Sequence, residues 1–312
     1  MKTGSVFLAA FVALGFFSCQ QADDLSPQDE ALVLKSAEIA GNDLYMDELS
    51  EESLTEVEFF SQAEVQLKNL ARIKGRKHTL LDWKVGMRYP VGQCPDVSID
   101  TAETGYPVTI TLDYGDSTEL TNGRVLSGIV SIVISGPRFI DGSTRMITYT
   151  DFQIDSVGIA GTVREQFRGD NETSREVTVV GDLQFTLPDG TVVKRESEKV
   201  RTWLEGLDTP EVFEDDVIEI TGFVQAESSS GTSWAKTILE PLVREGSCRY
   251  YVQGIVAYSE NGEVLAQVDF GDGACDETAT LTVNGEDIEI ELTGQRPHVN
   301  THNRKAHPGA NH

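Results

Sequence analysis

A strict alternation of side chains between residues 176 and 187 limits the folds open to this chain more than any other feature. The odd-numbered residues are apolar or glycine: Val177, Val179, Gly181, Leu183, Phe185 and Leu187. The even-numbered residues are polar except for Val180: Glu176, Thr178, Val180, Asp182, Gln184 and Thr186. A period of two with one polar face is typical of an antiparallel strand that is buried on one side. We therefore expect a half-buried antiparallel strand here.

Turn-forming pairs divide the chain after Cys94. Each pair is Asn or Asp followed by glycine, a combination that tolerates the positive φ angles of tight hairpins. The pairs are Asn122-Gly123, Asp141-Gly142, Asp189-Gly190, Asn261-Gly262 and Asn284-Gly285. No helical repeat appears after about residue 78, which disfavours a βαβ fold. The pattern predicts a mainly β fold: a long-stranded antiparallel meander over residues 78–294, built as one curled sheet or as two related β units.

The acidic segment 19–77 lacks strand patterns. Ser50 can start a helix in which Leu54, Val57 and Phe60 recur at steps of three. Good helix formers continue over residues 63–73. We expect one or two helices here, forming either a short α-helical N-terminal spacer or a cover packed on the sheet.

The pair Asn284-Gly285 fixes the register of one hairpin. If it forms a two-residue loop, Val283 faces Glu286 and Leu281 faces Ile288. The apolar side chains of both strands then share one face, which supports this register.

A second hairpin brings two cysteines together. A two-residue loop at 261–262 gives the ladder Glu260 with Glu263, Tyr258 with Leu265 and Cys248 with Cys275. Opposed residues have Cα atoms about 4.5 to 5.5 Å apart, which is within disulfide range. A bulge at the glycines of 269–273 would shift the ladder by one residue. We predict a Cys248–Cys275 disulfide, which requires an oxidising compartment.

The first nineteen residues have the layout of an export signal. Lys2 precedes an apolar run over 6–17 that ends at Ser18-Cys19. Twelve helical residues rise only about 18 Å, against about 30 Å of hydrocarbon core, so a retained transmembrane helix is not expected. Residues 15–19 resemble a bacterial lipobox. This resemblance implies removal of a signal peptide over 1–18 and acylation of Cys19; a secreted protein with a cysteine at the cut is the alternative.

The net charge narrows the possible partners. The chain has 51 Asp+Glu against 25 Lys+Arg, a formal charge of −26, which opposes binding to nucleic acid or to an anionic membrane surface. Residues 20–24 resemble the acidic tag of Bacteroidota lipoproteins displayed on the outer face of the outer membrane, although a solvated linker would look similar. We expect a lipid anchor in the outer membrane and exposure at the cell surface.

Two similar corners indicate a weak internal duplication. They are Asp113-Tyr114-Gly115-Asp116 and Asp269-Phe270-Gly271-Asp272-Gly273. Each follows an apolar strand and lies about twenty residues beyond a cysteine, Cys94 or Cys248.

These corners also carry a family resemblance. The segments 94–95 with 109–115, 127–128 with 135–137, and 269–276 resemble a family of uncharacterised Bacteroidota outer-membrane lipoproteins over about residues 94–292. The resemblance implies a fold and a location, and it brings no activity. Family members often have a second cysteine after the first corner, where this chain has Ser117 and Thr118. Cys94 is then the odd cysteine, either buried as a small apolar side chain or a competitor for one of the other two.

Acidic residues of the second corner form a candidate calcium site. Asp269, Asp272 and Asp276 are clustered, and hard cations prefer carboxylate oxygens. The spacing does not match an EF-hand loop. The alternative is that these aspartates cap backbone amides of the turn. No other cofactor is expected.

Catalytic residues are not evident. His78 is the only histidine before the tail 295–312, which is predicted to be disordered. The three tryptophans, Trp83, Trp203 and Trp234, are more typical of a core than of a sugar-stacking platform. We predict a lipid-anchored envelope protein without catalytic activity: a structural, adhesin-like or complex-forming accessory lipoprotein with a protein partner. A surface glycan-binding module is the alternative.

Overall fold

A computed structural model describes residues 27–64, 88–170, 172–209, 212–292 and 304–305. Within these residues, one helix is followed by fifteen strands: α1 Pro27–Gln62, β1 Asp96–Thr101, β2 Val108–Asp113, β3 Thr118–Glu119, β4 Val125–Ile134, β5 Thr144–Ile154, β6 Val157–Gly169, β7 Arg175–Thr186, β8 Val192–Glu205, β9 Val217–Ser228, β10 Ser233–Glu245, β11 Tyr251–Glu260, β12 Glu263–Asp272, β13 Thr278–Val283, β14 Glu286–Glu291 and β15 Arg304–Lys305.

The strands form one antiparallel meander, which confirms the predicted fold class. Apart from β3, which pairs with β4, the spatial order follows the chain from β1 to β15. The sheet stays open, because β1 and β15 lie at opposite ends of this order and the described strands do not pair across the gap. The alternation on β7 is as predicted, with Val177, Leu183 and Phe185 buried and Asp182 and Gln184 exposed.

The sheet curls strongly around α1. Oε1 of Glu48 accepts hydrogen bonds from Arg124, just before β4, and from Arg249, just before β11. In a flat sheet these strands, seven neighbours apart, would lie about 34 Å from each other. Mid-strand glycines permit the tight bending: Gly222 has a φ of 130°, and a Cβ there would lie 2.1 Å from the carbonyl oxygen of Glu198.

The helix lies within the curl and is buried around most of its circumference. A surface helix buries a residue every third or fourth position, whereas α1 buries Ile39, Ala40 and Gly41 in succession. Met46, Leu49 and other apolar side chains of α1 join one continuous core with the inner face of the sheet. Of the two alternatives for this segment, the contacts therefore favour the cover packed on the sheet.

Both hairpins begin in their predicted register. Val283 faces Glu286 and Leu281 faces Ile288, as predicted. In the hairpin at 261–262, Glu260 faces Glu263 as predicted.

The second ladder departs from its prediction after that pair. Tyr258 pairs with Ala266 instead of Leu265, so the simple ladder was wrong by one residue. The physical reason is a bulge at Leu265, which inserts an extra residue into β12. A second shift occurs between Ile255, opposite Asp269, and Gln253, opposite Asp272. It lies at the glycine-containing corner where a bulge was expected.

Cys248 and Cys275 form the predicted disulfide, with their Cα atoms 5.8 Å apart. Both cysteines lie beyond the ends of the β11–β12 ladder, in the connections 246–250 and 273–277. The bulges therefore shift the ladder without separating the two cysteines. Cys94 is exposed ahead of β1, so the alternative in which it is a buried apolar side chain is wrong.

The two corners share their local geometry. The backbone amide of Gly115 donates to Asp113 Oδ1 at 2.9 Å, and that of Gly271 donates to Asp269 Oδ1 at 2.8 Å. The aromatic residue of each corner is buried, Tyr114 beneath the first and Phe270 beneath the second. The same strand-to-turn unit thus occurs twice.

The disulfide is expected to stabilise the fold. Replacing both cysteines, Cys248→Ala with Cys275→Ala, should lower the free energy of unfolding by about 3 to 4 kcal/mol, because the bridge closes a loop of 27 residues in the unfolded chain. Urea unfolding without reductant measures the change. Cys94→Ala is the control and should shift the free energy of unfolding by less than about 0.5 kcal/mol. A double variant as stable as the wild type would contradict this prediction.

Candidate functional site

An acidic helix inside a sheet is the unusual feature of this fold. In sequence, α1 contains ten Asp or Glu residues and one lysine. Asp43, Asp47 and Glu51 follow each other at four-residue intervals and so lie one above another on the helix. Like charges in this arrangement repel each other, and burial in a low dielectric increases the cost. The column is stable only if the surrounding sheet supplies cations.

Three cations of the sheet neutralise the first part of this column. Arg195 Nε lies 3.1 Å from Asp43 Oδ1, and Lys236 Nζ lies 2.6 Å from Asp43 Oδ2. Asp47 pairs with Lys199 at 2.9 Å and also with Arg195 and Lys236. All five side chains are buried. The cluster connects α1 to β8 and β10.

The charges of this cluster hold both carboxyl groups ionised. Burial by itself raises the pKa of Asp47, but the charges of Arg195, Lys199 and Lys236 outweigh it and hold that pKa well below its usual range. The pKa of Asp43 is lowered through the same opposition of burial and positive charge. Burial lowers the pKa of Lys199, and the attraction of Asp47 does not fully offset it. The cluster is thus held together by charge within the protein interior.

Further along the helix, Glu51 and Glu58 each bind two arginines. Glu51 accepts from Arg201 at 2.6 Å and from Arg244 at 2.8 Å. Glu58 accepts from both Arg138 and Arg145. Burial alone would raise the pKa of Glu58, but Arg145 and Arg138 lower it to about 2.

Another carboxylate, Glu56, connects the helix to the first strands. Its Oε2 accepts a hydrogen bond of 2.8 Å from Tyr114, at the corner after β2, and another from Tyr89. Arg88 donates to Oε1 of the same side chain. Burial, followed by the negative charge of Glu56, raises the pKa of Tyr114 well above its usual value of 10. Tyr114 therefore acts here as a hydrogen-bond donor.

Beside these pairs lies a cavity of about 220 Å³ between the C-terminal third of α1 and the sheet. We call it the arginine cavity. Its described lining includes five arginines, four acidic residues and four aromatic rings: Arg138, Arg145, Arg175, Arg201, Arg244, Glu51, Glu58, Glu165, Asp216, Phe139, Phe167, Trp203 and Phe213.

A second cavity of about 100 Å³ adjoins the first. We call it the tyrosine cavity, because Tyr45, Tyr250 and Tyr251 line it together with Phe270. The two cavities share three lining residues, Glu51, Thr55 and Arg244. The Glu51–Arg244 ion pair therefore lies at the boundary between them.

The structure does not gather the predicted calcium ligands into a site. Asp269 accepts from the amide of Gly271, and Asp276 accepts from the amide and hydroxyl of Thr278. Asp272 is exposed. Within the described parts of the chain, no group of three or more His, Cys, Asp or Glu side chains is placed to hold a metal ion. The contacts of Asp269 and Asp276 are those of turn capping, and calcium binding stays a prediction.

Other predicted residues are dispersed or lie outside the described ranges. Trp234 is buried beside Asp43, and Trp203 lines the arginine cavity. Trp83, Cys19 and the histidine-containing tail lie outside the described residues. In the ranges that are described, no helix is long and apolar enough to cross a membrane.

Comparison with protein-family models, with curated proteins and with solved structures finds no match to this chain.

The sequence contains one signal for this interior. Asp43, Asp47 and Glu51 form an acidic column at helical spacing, which needs neutralising partners if the helix is buried. The sequence does not identify the cations that neutralise this column, because β8 has charged residues on both faces. Lys194, Glu196 and Glu198 alternate with Arg195 and Lys199.

Loss of the Glu58 carboxylate should destabilise the protein in a pH-dependent way. Its folded pKa of about 2 lies below the ordinary value of 4.5. The stabilisation is therefore complete above pH 4.5 and is lost as the pH falls towards 2. Glu58→Gln should lower the free energy of unfolding by about 2 to 4 kcal/mol at pH 7, and the difference from wild type should shrink towards pH 2.

Denaturant unfolding of both proteins across this pH range provides the measurement. Glu38→Gln is the matched control, because Glu38 is an exposed glutamate on the same helix. A deficit in Glu58→Gln that is equally large at pH 2 and pH 7 would show that the ion pairs do not cause it.

Proposed function

We propose that this chain is a lipid-anchored accessory protein of the outer membrane that has no catalytic activity and presents one end of its sheet to a partner at the cell surface. The signal-like segment before Cys19 supports the anchor. The observation that carries the proposal is the path of α1, which runs through the curled sheet from the 261–262 hairpin to the arginine cavity.

The direction of α1 relates the anchor to the rest of the domain. Lys35, near the start of the helix, lies 2.5 Å from Glu260 beside the 261–262 hairpin. Near the other end, Glu58 contacts Arg138 in the connection 135–143, and Glu64 accepts from Tyr106 at 3.5 Å. The helix therefore spans the domain from one set of connections to the opposite set.

An anchor at Cys19 would hold the first of these ends close to the membrane. Only residues 20–26 separate Cys19 from α1, and seven residues reach at most about 25 Å. From Pro27 to Glu58 the helix rises about 46 Å. The connections around Glu58 and the arginine cavity would then face away from the bilayer, where a surface partner can reach them.

The state of the lining carboxylates supports binding rather than catalysis. Hydrolysis of a glycoside needs one carboxyl group that gives a proton and a second that is available as base or nucleophile. Glu51 and Glu58 each hold two arginines, and Glu165 holds Arg145 at 2.7 Å. In Glu51 and Glu58 the positive charge of the arginines outweighs burial and lowers the pKa, so these two carboxylates are poor bases.

The anchor can be tested by exchanging the cysteine. In a Gram-negative host with a lipoprotein pathway, the wild-type chain should fractionate with membranes, and the mass of its N-terminal peptide should show acyl groups on Cys19. Cys19→Ser should be soluble and carry no acyl groups, because the thioether attachment is lost. Protease added to intact cells should remove the wild-type domain if it is surface-exposed.

The control for this experiment is Cys94→Ser, which should remain anchored like the wild type. An unmodified sulfur at Cys19 in the mature wild-type chain would contradict the anchor. Complete protection from protease in intact cells would contradict surface display alone.

A specific observation favours glycan binding as a second candidate function. The tyrosine cavity combines three tyrosines with Glu48, Glu52 and Arg249. Aromatic rings beside carboxylates and a guanidinium offer both the apolar and the hydrogen-bonding contacts that sugar rings need. The hydroxyl of Tyr251 is buried and, within the described structure, has no hydrogen-bond partner, which leaves a polar group for a ligand to satisfy.

Glycan binding predicts an effect of removing one ring. If immobilised polysaccharides retain the wild-type domain, Tyr250→Ala should weaken retention about five- to tenfold through loss of stacking. Biolayer interferometry measures this. Phe223→Ala, which truncates an exposed ring on the outer face of β9, is the control and should bind like wild type. Equal losses in both variants, or no retention of the wild type, would contradict the second candidate.

A further inference from the structure

Lys199 and Asp47 bring an amine and a carboxyl group together inside the protein. Nζ of Lys199, on β8, lies 2.9 Å from Oδ1 of Asp47, on α1. Because a carbon–oxygen bond is about 1.2 Å long, the nitrogen lies at most about 4.1 Å from the carboxyl carbon. Reacting atoms in near-attack geometry are about 3 to 3.5 Å apart. A small movement of the lysine side chain is therefore enough to bring nitrogen and carbon to this distance.

The fold holds this pair in place and separates it from bulk solvent. Asp47 is 2% exposed and Lys199 is 6% exposed. The two residues are 152 positions apart in sequence, so only folding brings them together. Groups held in this way react within one molecule, at an effective concentration far above any that two separate molecules can reach.

Two further cations act on the oxygens of the same carboxyl group. Arg195 donates to Oδ1 of Asp47, and Lys236 donates to Oδ2. Both cations also contact Asp43, Arg195 at 3.1 Å and Lys236 at 2.6 Å, and these contacts hold them beside Asp47. Positive groups at both oxygens stabilise the negative charge that develops when a nucleophile adds to the carboxyl carbon.

The surroundings of Lys199 favour its uncharged form. Burial lowers the pKa of the Lys199 ammonium, and the repulsion of Lys236 and Arg195 adds to this while Asp47 opposes it. Burial and neighbouring cations are the usual means by which proteins make a lysine nucleophilic. The free amine is therefore easier to form here than in an exposed lysine.

We propose that Lys199 and Asp47 form an intramolecular amide bond that links β8 covalently to α1. The product is an isopeptide crosslink, which is a modification of the chain by its own side chains. The link would replace a buried ion pair by a neutral amide and so remove one charge of each sign from the interior. Buried ion pairs carry a desolvation penalty that their attraction often only just offsets, and a neutral amide avoids most of this penalty.

The reaction balances within the two side chains. The Lys199 ammonium passes one proton to Oδ1 of Asp47, and the lone pair of Nζ then forms a bond to the carboxyl carbon. The negative charge that develops lies on Oδ2, beside Lys236. A second proton moves from Nζ to Oδ1, the bond between the carbon and Oδ1 breaks, and one water molecule leaves. Nζ keeps its third proton as the amide N–H. Asp47 also lines the tyrosine cavity, into which the released water can move.

Mass spectrometry of the full mature chain tests the link, which goes beyond the proposed function and does not depend on the lipid anchor. Measured after denaturation and reduction, the wild type should be lighter than its sequence by the mass of one water molecule. Lys199→Arg keeps a positive charge beside Asp47 but has no amine to react, so it should have its full sequence mass. Comparison of the two proteins cancels any processing or acylation of the N-terminus, because both share it.

Peptide mapping of the wild type locates the link and does not depend on the folding of any variant. Trypsin does not cut after an acylated lysine, so the wild type should give a branched peptide in which residues 36–68 are joined to residues 196–201. Lys199→Arg should give no branched peptide. Lys199→Met, which also removes the amine, is a second variant with the same expected result. Circular dichroism and thermal unfolding confirm that each variant is folded.

Two lysine variants are controls. Lys194→Arg changes an exposed lysine on the opposite face of β8 and should lose one water molecule like the wild type. Lys236→Arg keeps a cation beside Oδ2 of Asp47 and should also form the link.

A wild type with its full sequence mass would overturn the proposal. A loss of water that persists in folded Lys199→Arg, or a branched peptide that joins a different lysine to residues 36–68, would also overturn it. None of these results bears on acylation of Cys19, so the two proposals can fail separately.

Discussion

Neutralisation of an acidic helix by an inward-facing set of cations is the constraint on which the rest of the structure depends. Asp43, Asp47, Glu51 and Glu58 are surrounded by protein, and each contacts two or more arginines or lysines from the sheet or its connections. Removing one partner of a buried pair commonly costs about 3 to 5 kcal/mol. Each of these pairs therefore makes the stability of the helix depend on the inner face of the sheet.

The same pairing explains how so acidic a chain builds a core. Within the described residues, ten lysines and arginines pair with carboxylates of α1: Arg88, Arg124, Arg138, Arg145, Arg195, Lys199, Arg201, Lys236, Arg244 and Arg249. Because so many cations are drawn towards the helix, the outer surface is left more acidic than the composition alone implies.

Curvature and cavities follow from enclosing this helix. Arg124, just before β4, and Arg249, just before β11, both bind the carboxylate of Glu48, so the sheet must bend around α1. Bulges and mid-strand glycines permit the bend. Near the C-terminal third of α1 the enclosure is incomplete, and the arginine and tyrosine cavities lie on either side of the Glu51–Arg244 pair. A ligand in either cavity would contact the Glu51–Arg244 ion pair, which also lines the other cavity.

The sequence by itself determined the antiparallel meander, the burial pattern of β7, the 284–285 register and the Cys248–Cys275 bridge, because turn chemistry and a period of two act between near neighbours. Only the tertiary structure decided that α1 lies inside the sheet, that Leu265 forms a bulge and that Arg195 and Lys199 face inwards. On β8 both faces are charged, so alternation cannot show which side is buried. The inward-facing side of β8 is determined by the carboxylates of α1, some 150 residues away in sequence. The arginine cavity exists only when α1 and β8 are in contact.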